Sequence, residues 1–63
     1  ELAGLVDRAI NRIEEGASSA ALPPMSSYER KIVHDIVSER GYVSESEGEA
    51  RERHTVIRPV ASA

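Results

Sequence analysis

The sequence contains no cysteine, tryptophan or phenylalanine, and these absences narrow what the chain can be. Without cysteine it can hold neither a disulfide bond nor a thiolate-ligated metal. No apolar run approaches the roughly 18 residues that a transmembrane helix needs, so no membrane partner is expected. With 63 residues, the chain predicts one small domain with a marginal core, since a domain of about 60 residues buries only about 60% of its unfolded surface.

The lack of cysteine also fits a reducing compartment, and no basic segment followed by an apolar stretch marks a secretory signal. The chain begins with Glu1 rather than methionine, and we interpret it as a piece of a longer protein. Residues 1–60 are predicted to form the domain, and residues 61–63 a short tail.

Basic residues are outnumbered, with eight Lys/Arg against eleven Asp/Glu and a net charge of −3. This is a mild argument against nucleic-acid binding, for which a basic balance is expected. Four glutamates, however, cluster in or beside one predicted turn: Glu45, Glu47, Glu49 and Glu52. Several basic residues lie on predicted helices and strands instead: Arg30, Lys31, Arg40, Arg53 and Arg58. A local basic patch can therefore survive the negative total.

Apolar residues at helical spacing predict two amphipathic helices, over residues 2–13 and 26–40. A capping box marks the start of the second: the Ser26 hydroxyl accepts from the Glu29 N–H, and the Glu29 carboxylate accepts from the Ser26 N–H. Gly41 is suited to end it. Its apolar stripe is predicted to comprise Tyr28, Ile32, Val33, Ile36 and Val37.

Residues 42–46 and 53–59 alternate in the manner of strands, and the charged connection between them contains Gly48. Residues 18–22 are compatible with a short edge strand or a loop. In the last strand, Arg53, Thr55 and Ile57 would face one way, and His54, Val56 and Arg58 the other. The order of elements predicts a small two-layer α+β domain, with both helices on one face of an antiparallel sheet.

Arg30 and His34 lie one turn apart on the exposed side of the second predicted helix, and neither has an evident structural role. Arginine offers a planar fork of donors that suits a phosphate, and histidine adds a second donor. Ser27 and Lys31 lie on the same side. The pattern fits a phosphate site, but an ordinary solvated helix face would look the same.

Catalysis is not expected. The histidines, His34 and His54, lie on different elements, and no H-x-x-x-H or H-x-H spacing indicates a metal site. His34 and Asp35 are adjacent on a helix, so their side chains diverge by about 100° and cannot form a dyad. The chain is also too short to enclose an active-site cleft. We therefore predict no enzyme activity, no catalytic residues, no metal and no cofactor.

Arginines in and beside the last strand have two interpretations. Arg51, Arg53 and Arg58, with His54, could solubilise the wet face of a small sheet and discourage edge pairing. They could instead extend a basic surface from the second helix across the sheet. Stacking of bases on Tyr28 or Tyr42 is possible, but Tyr28 belongs to the predicted apolar stripe and is expected in the core.

Three segments together resemble the Arg-x-x-x-His (R-3-H) domain family: "LPPMSSYERKIVHDIV", "SESEGE" and "RHTVIRP". More narrowly, they are similar to the C-terminal domain of bacterial Jag proteins, also called SpoIIIJ-associated or KhpB-type proteins. Those proteins carry a P-M-x-x-Y-E-R-x-x-V-H segment, an S-E-G-type hairpin and a final R-x-x-V-I-x-P-like strand. The matching residues are Pro24, Met25, Tyr28, Glu29, Arg30, Val33, His34, Ser46, Glu47, Gly48, Arg53, Val56, Ile57 and Pro59.

The resemblance implies a three-stranded sheet with two helices on one face, which makes residues 18–22 a true first strand. It also implies single-stranded nucleic-acid binding, with RNA favoured over DNA, by a non-enzymatic module. A KH domain would lie upstream in the same chain, and the protein would be cytoplasmic and take part in control of cell elongation and division. The nucleic-acid-binding residues would be Arg30, His34, Lys31, Ser27, Arg53 and Arg58.

One departure from an autonomous binder is the acidic total, since repulsion from phosphates would weaken binding by this domain alone. A KH partner is expected to supply much of the affinity. The alternative is a protein-interaction module, in which Arg30 and His34 contact an acidic or phosphorylated partner or the neighbouring domain.

Overall fold

The elements of the fold follow the predicted order, and the computed structural model describes residues 1–60. The helices are α1 (Leu2–Glu14) and α2 (Ser27–Glu39), and the strands are β1 (Ala20–Ala21), β2 (Tyr42–Glu47) and β3 (His54–Pro59). A 3-10 turn, Ala50–Glu52, lies between β2 and β3. The predicted α+β class is confirmed. The tail predicted at residues 61–63 lies outside the described residues.

The sheet has the order β1-β3-β2, with antiparallel pairing on both sides of the central strand. Its middle strand is the most apolar, and Thr55, Val56 and Ile57 are all buried there. β1 is only two residues long and sets Ala20 opposite Ile57. The ambiguous residues 18–22 therefore include a real, short edge strand. The predicted alternation along β3 is confirmed by the register, because Ile57 faces the helices and Val56 faces away.

Both helices cover one face of the sheet, and the core lies between the two layers. Val6 of α1, Val33 and Val37 of α2, and Ile57 of β3 are fully buried. Burying such a side chain contributes about 1.5–3 kcal/mol, so these few residues carry much of the stability of a chain this small. α2 lies mainly over the edge strand β2, whereas α1 lies over β1 and β3. Neither helix within residues 1–60 is long and apolar enough to cross a membrane.

The connection between β2 and β3 depends on one glycine. Gly48 has a φ of 90°, and a Cβ there would lie 2.7 Å from the Glu52 carbonyl oxygen. A side chain would therefore both strain the backbone and collide with it. This requirement explains why the charged turn contains glycine at that position.

Candidate nucleic-acid interface

The start of α2 is fixed by the predicted capping box, which is confirmed. The Ser26 hydroxyl accepts a hydrogen bond from the Glu29 N–H at 3.2 Å, and Glu29 Oε1 accepts one from the Ser26 N–H at 3.1 Å. These bonds satisfy donors that the first turn would otherwise leave free. They also fix where the helix begins, with the N-cap Ser26 four residues before Arg30.

Arg30 is half-buried, and its guanidinium is held by two neutral oxygens at the start of the helix. Nη1 donates to the Met25 carbonyl at 3.3 Å, and Nη2 donates to the Ser27 hydroxyl at 3.2 Å. A guanidinium has five N–H donors, so three remain for a ligand. The expectation that Arg30 has no structural role is wrong, because it ties the segment before α2 to the helix.

His34 is anchored to the edge strand. Its Nδ1 lies 2.7 Å from the Ser44 hydroxyl, which faces the helix layer because Ser44 pairs with the buried Ile57. This bond fixes the plane of the exposed imidazole and leaves Nε2 directed away from Ser44. His34 therefore also has a structural contact that the sequence analysis did not assign. We call the set Ser27, Arg30, Lys31, His34 and Ser44 the α2 flank.

The other arginines with polar contacts are paired with carboxylates. Arg40 Nε donates to Asp7 at 3.0 Å, and Arg58 donates to Glu45 at 2.6 Å and to Glu47 at 2.7 Å. These hydrogen bonds are the largest cause of the raised pKa of each guanidinium. Within residues 1–60, no carboxylate forms such a pair with Arg30. Its positive charge is held in place without being neutralised.

The predicted site residues do not all share one surface. Arg30, His34, Ser27 and Lys31 lie on the α2 flank, and Lys31 is exposed. Arg58 lies on the opposite face of the sheet, because its cross-strand partner is Val43, one residue from Ser44. The predicted extension of a basic surface through Arg58 is therefore not seen.

The hairpin contributes little to the α2 flank. Arg53 is exposed just before β3, without a contact to the flank. His54 bonds locally through Nδ1, to the Glu52 carbonyl at 2.8 Å. Arg53 can therefore act only as a charge at the end of the molecule, and not as part of the geometry around Arg30.

Tyr28 was expected in the core, and that expectation is wrong: the residue is 75% exposed. The fully buried residues of α2, Val33 and Val37, lie about 140° and 180° around the helix from Tyr28 by the 100° step of an α-helix. The buried side of the helix therefore centres well away from Tyr28, which lies on the opposite, solvent side.

Tyr42 behaves in the opposite way. It is half-buried against the core cluster, and its hydroxyl donates to Glu14 Oε2 at 3.4 Å. Burial, followed by the nearby Glu14 charge, raises the pKa of Tyr42. Tyr42 therefore has a structural role, whereas Tyr28 is exposed to solvent.

Ser44 is the functional candidate that sequence reasoning missed. The signal for it was weak, since serine at an alternating strand position suggests only a polar face. Its importance follows from the packing of α2 over β2, which brings residues ten positions apart into contact.

The α2 flank is an open surface. The structure of residues 1–60 shows no cleft that would enclose a small molecule. It also shows no group of three or more side chains able to hold a metal ion among these residues.

The chain matches the model of a known protein family. The family model of the R-3-H domain matches residues 1–59, nearly the whole chain. No curated protein matches the sequence.

Proposed function

Since the chain belongs to the R-3-H domain family, generally a single-stranded nucleic-acid-binding module, we propose that it binds such a strand through the α2 flank. Arg30 contacts a backbone phosphate through its free N–H groups. His34 donates from Nε2 to a phosphate or sugar oxygen. Ser27 and Ser44 hold these two side chains in position.

The observation that carries the proposal is that no carboxylate within residues 1–60 forms an ion pair with Arg30. Its guanidinium is oriented by a carbonyl and a hydroxyl, and because both are neutral, they do not offset its positive charge. Hydrogen bonds between a guanidinium and a phosphate are charge-assisted, and the planar fork can engage two oxygens at once. A side chain ordered before binding also loses less entropy on contact.

Other basic residues extend the electrostatic footprint. Lys31, exposed beside the flank, adds attraction for phosphates, and Arg53 adds it more weakly from the hairpin end. We expect almost nothing from Arg58, because Glu45 and Glu47 already balance it.

The finer assignment rests on the likeness of the three quoted segments to Jag proteins. On this basis we propose that RNA is favoured over single-stranded DNA, that a KH domain precedes this domain, and that the protein acts in the cytoplasm in control of cell elongation and division. The net charge of −3 favours weak binding by this domain alone. A tethered KH domain would supply further affinity, since it raises the effective concentration of a weak binder.

The test is a titration of a labelled single-stranded RNA with the 63-residue chain at two salt concentrations. The Arg30→Ala/His34→Ala variant should bind about 10 to 100 times more weakly, since a hydrogen bond to a charged group contributes about 1.5–3 kcal/mol. The slope of log affinity against log salt should fall by about 0.7 for each lost phosphate contact.

Arg58→Ala is the matched control, because it removes an arginine from the neutralised face. It should leave RNA affinity within about twofold of wild type, as rim charges without contacts contribute little. Equal losses in the double variant and in Arg58→Ala would show that only net charge matters. Wild-type affinity in the double variant would exclude the α2 flank as the binding surface.

A further inference from the structure

We propose that Tyr28 is a base-stacking site, on which an unpaired nucleobase of the bound strand lies against the phenol ring. The proposal rests on the proposed function and extends it from phosphate contacts to base contacts. Aromatic rings accept any base on their π-face, so the site would bind bases with little sequence preference.

The ring is exposed and rigidly mounted. Tyr28 is the second residue of α2, directly after the N-cap region that the Ser26–Glu29 capping box fixes. It is 75% exposed, so the core does not require it. Ile32, half-buried, lies one turn along the same side, where its side chain can support the ring edge. A tyrosine has only two side-chain torsions to order on binding.

The position of Tyr28 fits a strand that crosses the first turns of α2. By the 100° helical step, Tyr28 lies about 160° from Arg30 around the solvent side. Ser27 and Lys31 lie between them on that side, and both are exposed. With side chains reaching roughly 5–6 Å from the helix axis, the path around the solvent side between the two residues is about 15 Å long. A few nucleotides therefore span from the Arg30 phosphate, past Lys31, to the ring.

Two carboxylates lie near this path. Glu29 is occupied by the Ser26 N–H, and by the helical step it lies on the far side of Tyr28 from Lys31. Asp35 is exposed on the solvent side but lies seven residues from Tyr28, about 10 Å along the axis. The first two turns are thus the part of the helix that a polyanion can cross with least repulsion.

A nucleobase fits the surroundings of Tyr28 better than a protein surface does. Docking surfaces for proteins are contiguous apolar patches of a few hundred Å². The other large exposed apolar residues within residues 1–60 are Val43 and Val60, and Val43 lies on the opposite sheet face. Tyr28 is a single exposed ring beside a cation, which matches one base between two phosphates.

Intrinsic fluorescence tests this directly, because the chain has two tyrosines and no tryptophan. The Tyr42→Phe variant leaves Tyr28 as the only emitter. Titration with single-stranded oligoadenylate and oligouridylate should quench most of its emission, and adenylate should quench more strongly because its ring stacks over a larger area. Tyr28→Phe, which leaves only Tyr42, should show little quenching.

Affinity gives the second readout. Tyr28→Ala should weaken binding about tenfold, whereas Tyr28→Phe should retain it, because stacking does not need the hydroxyl. Both variants should keep the wild-type melting temperature, since the ring is outside the core.

Two results would overturn the stacking site without touching the phosphate contacts. One is unquenched Tyr28 emission at an oligonucleotide concentration that saturates the wild-type chain but not the Arg30→Ala/His34→Ala variant. The other is wild-type affinity in Tyr28→Ala, which would leave the ring to a protein partner. Failure of the proposed function itself is distinguishable, because the double variant would then bind as wild type does.

Discussion

The two exposed surfaces beside β2, the α2 flank and the outer face of the sheet, each carry a well-positioned arginine, but the partners of those arginines differ. Arg30 is held by a carbonyl and a hydroxyl, whereas Arg58 is held by two carboxylates. Both guanidiniums are held by hydrogen bonds, yet only the charge of Arg30 is not offset by neighbouring carboxylates. The position of a basic residue therefore says less about binding than the chemistry of the groups that orient it.

The difference between the two surfaces also shows how an acidic chain can present a basic side chain whose charge is not offset. Glu45 and Glu47, predicted near a turn, lie in β2 on the side away from Ser44, where their charges are balanced by Arg58. Glu29 is engaged at the helix start and lies away from Arg30. Although the chain has a net charge of −3, the arginine of the α2 flank forms no ion pair within residues 1–60.

The largest effect is expected from making the α2 flank resemble the outer face. Ser27→Asp would place a carboxylate where the Ser27 hydroxyl now accepts from Arg30. RNA affinity should fall about 10 to 100 times, as in the Arg30 variant. Stability should hold or rise by about 0.3–1 kcal/mol, because an acidic residue in the first turn favours the helix dipole.

The control for this substitution is Ser27→Ala, which removes the hydroxyl and adds no charge. It should reduce affinity only a few-fold. Chemical denaturation and RNA titration of both variants give the two readouts. A Ser27→Asp protein that binds RNA as tightly as wild type would break the link between the free charge of Arg30 and binding.

A smaller effect should follow from releasing His34. Ser44→Ala removes the partner of Nδ1, so the imidazole is no longer fixed, and affinity should fall about three- to tenfold. Stability should fall by about 0.5–1.5 kcal/mol for the lost hydrogen bond. RNA titration and chemical denaturation of the same variant measure the two effects.

Ser46→Ala is the matched control for Ser44→Ala, because Ser46 lies one pleat further along the same face of β2 and makes no side-chain hydrogen bond within residues 1–60. Its affinity and stability should match wild type. Equal effects of the two alanines would mean that β2 affects binding only through general stability.

The smallest effect is expected when the outer face is made to resemble the α2 flank. Glu45→Gln/Glu47→Gln leaves Arg58 without carboxylates and raises the net charge from −3 to −1. Affinity should rise about two- to threefold at low salt, and the gain should vanish at high salt, because it is a screened, sequence-independent attraction. If these two substitutions restored the RNA affinity of the Arg30→Ala/His34→Ala variant, the position of the basic residue would be unimportant.

Local features of the fold could be predicted from the sequence, and features that depend on packing could not. The capping box and Gly41 place α2 within a residue of its true ends, because these signals act between neighbours. The exposure of Tyr28 was missed because a wheel shows which residues share a side, but not where the sheet lies beneath it. The buried centre became clear only from Val33 and Val37.

The candidate site shows the same difference between local features and features that depend on packing. The Arg30–His34 pair can be found from spacing and family resemblance, since both residues lie on one helix. The Ser44 contact and the neutralisation of Arg58 depend on the register of β2 against β3 and on α2 lying over β2. Charge counts along a sequence cannot show which arginines are already paired.

The most direct test of the central claim is to follow the arginine side-chain Nε–H signals by NMR during titration with a single-stranded oligonucleotide. The Arg30 signal should shift as the guanidinium contacts phosphate, while the Arg58 signal, whose Nε–H already donates to Glu45, should stay in place. A shifting Arg58 signal with an unmoved Arg30 signal would contradict the account and would place the nucleic acid on the outer face of the sheet.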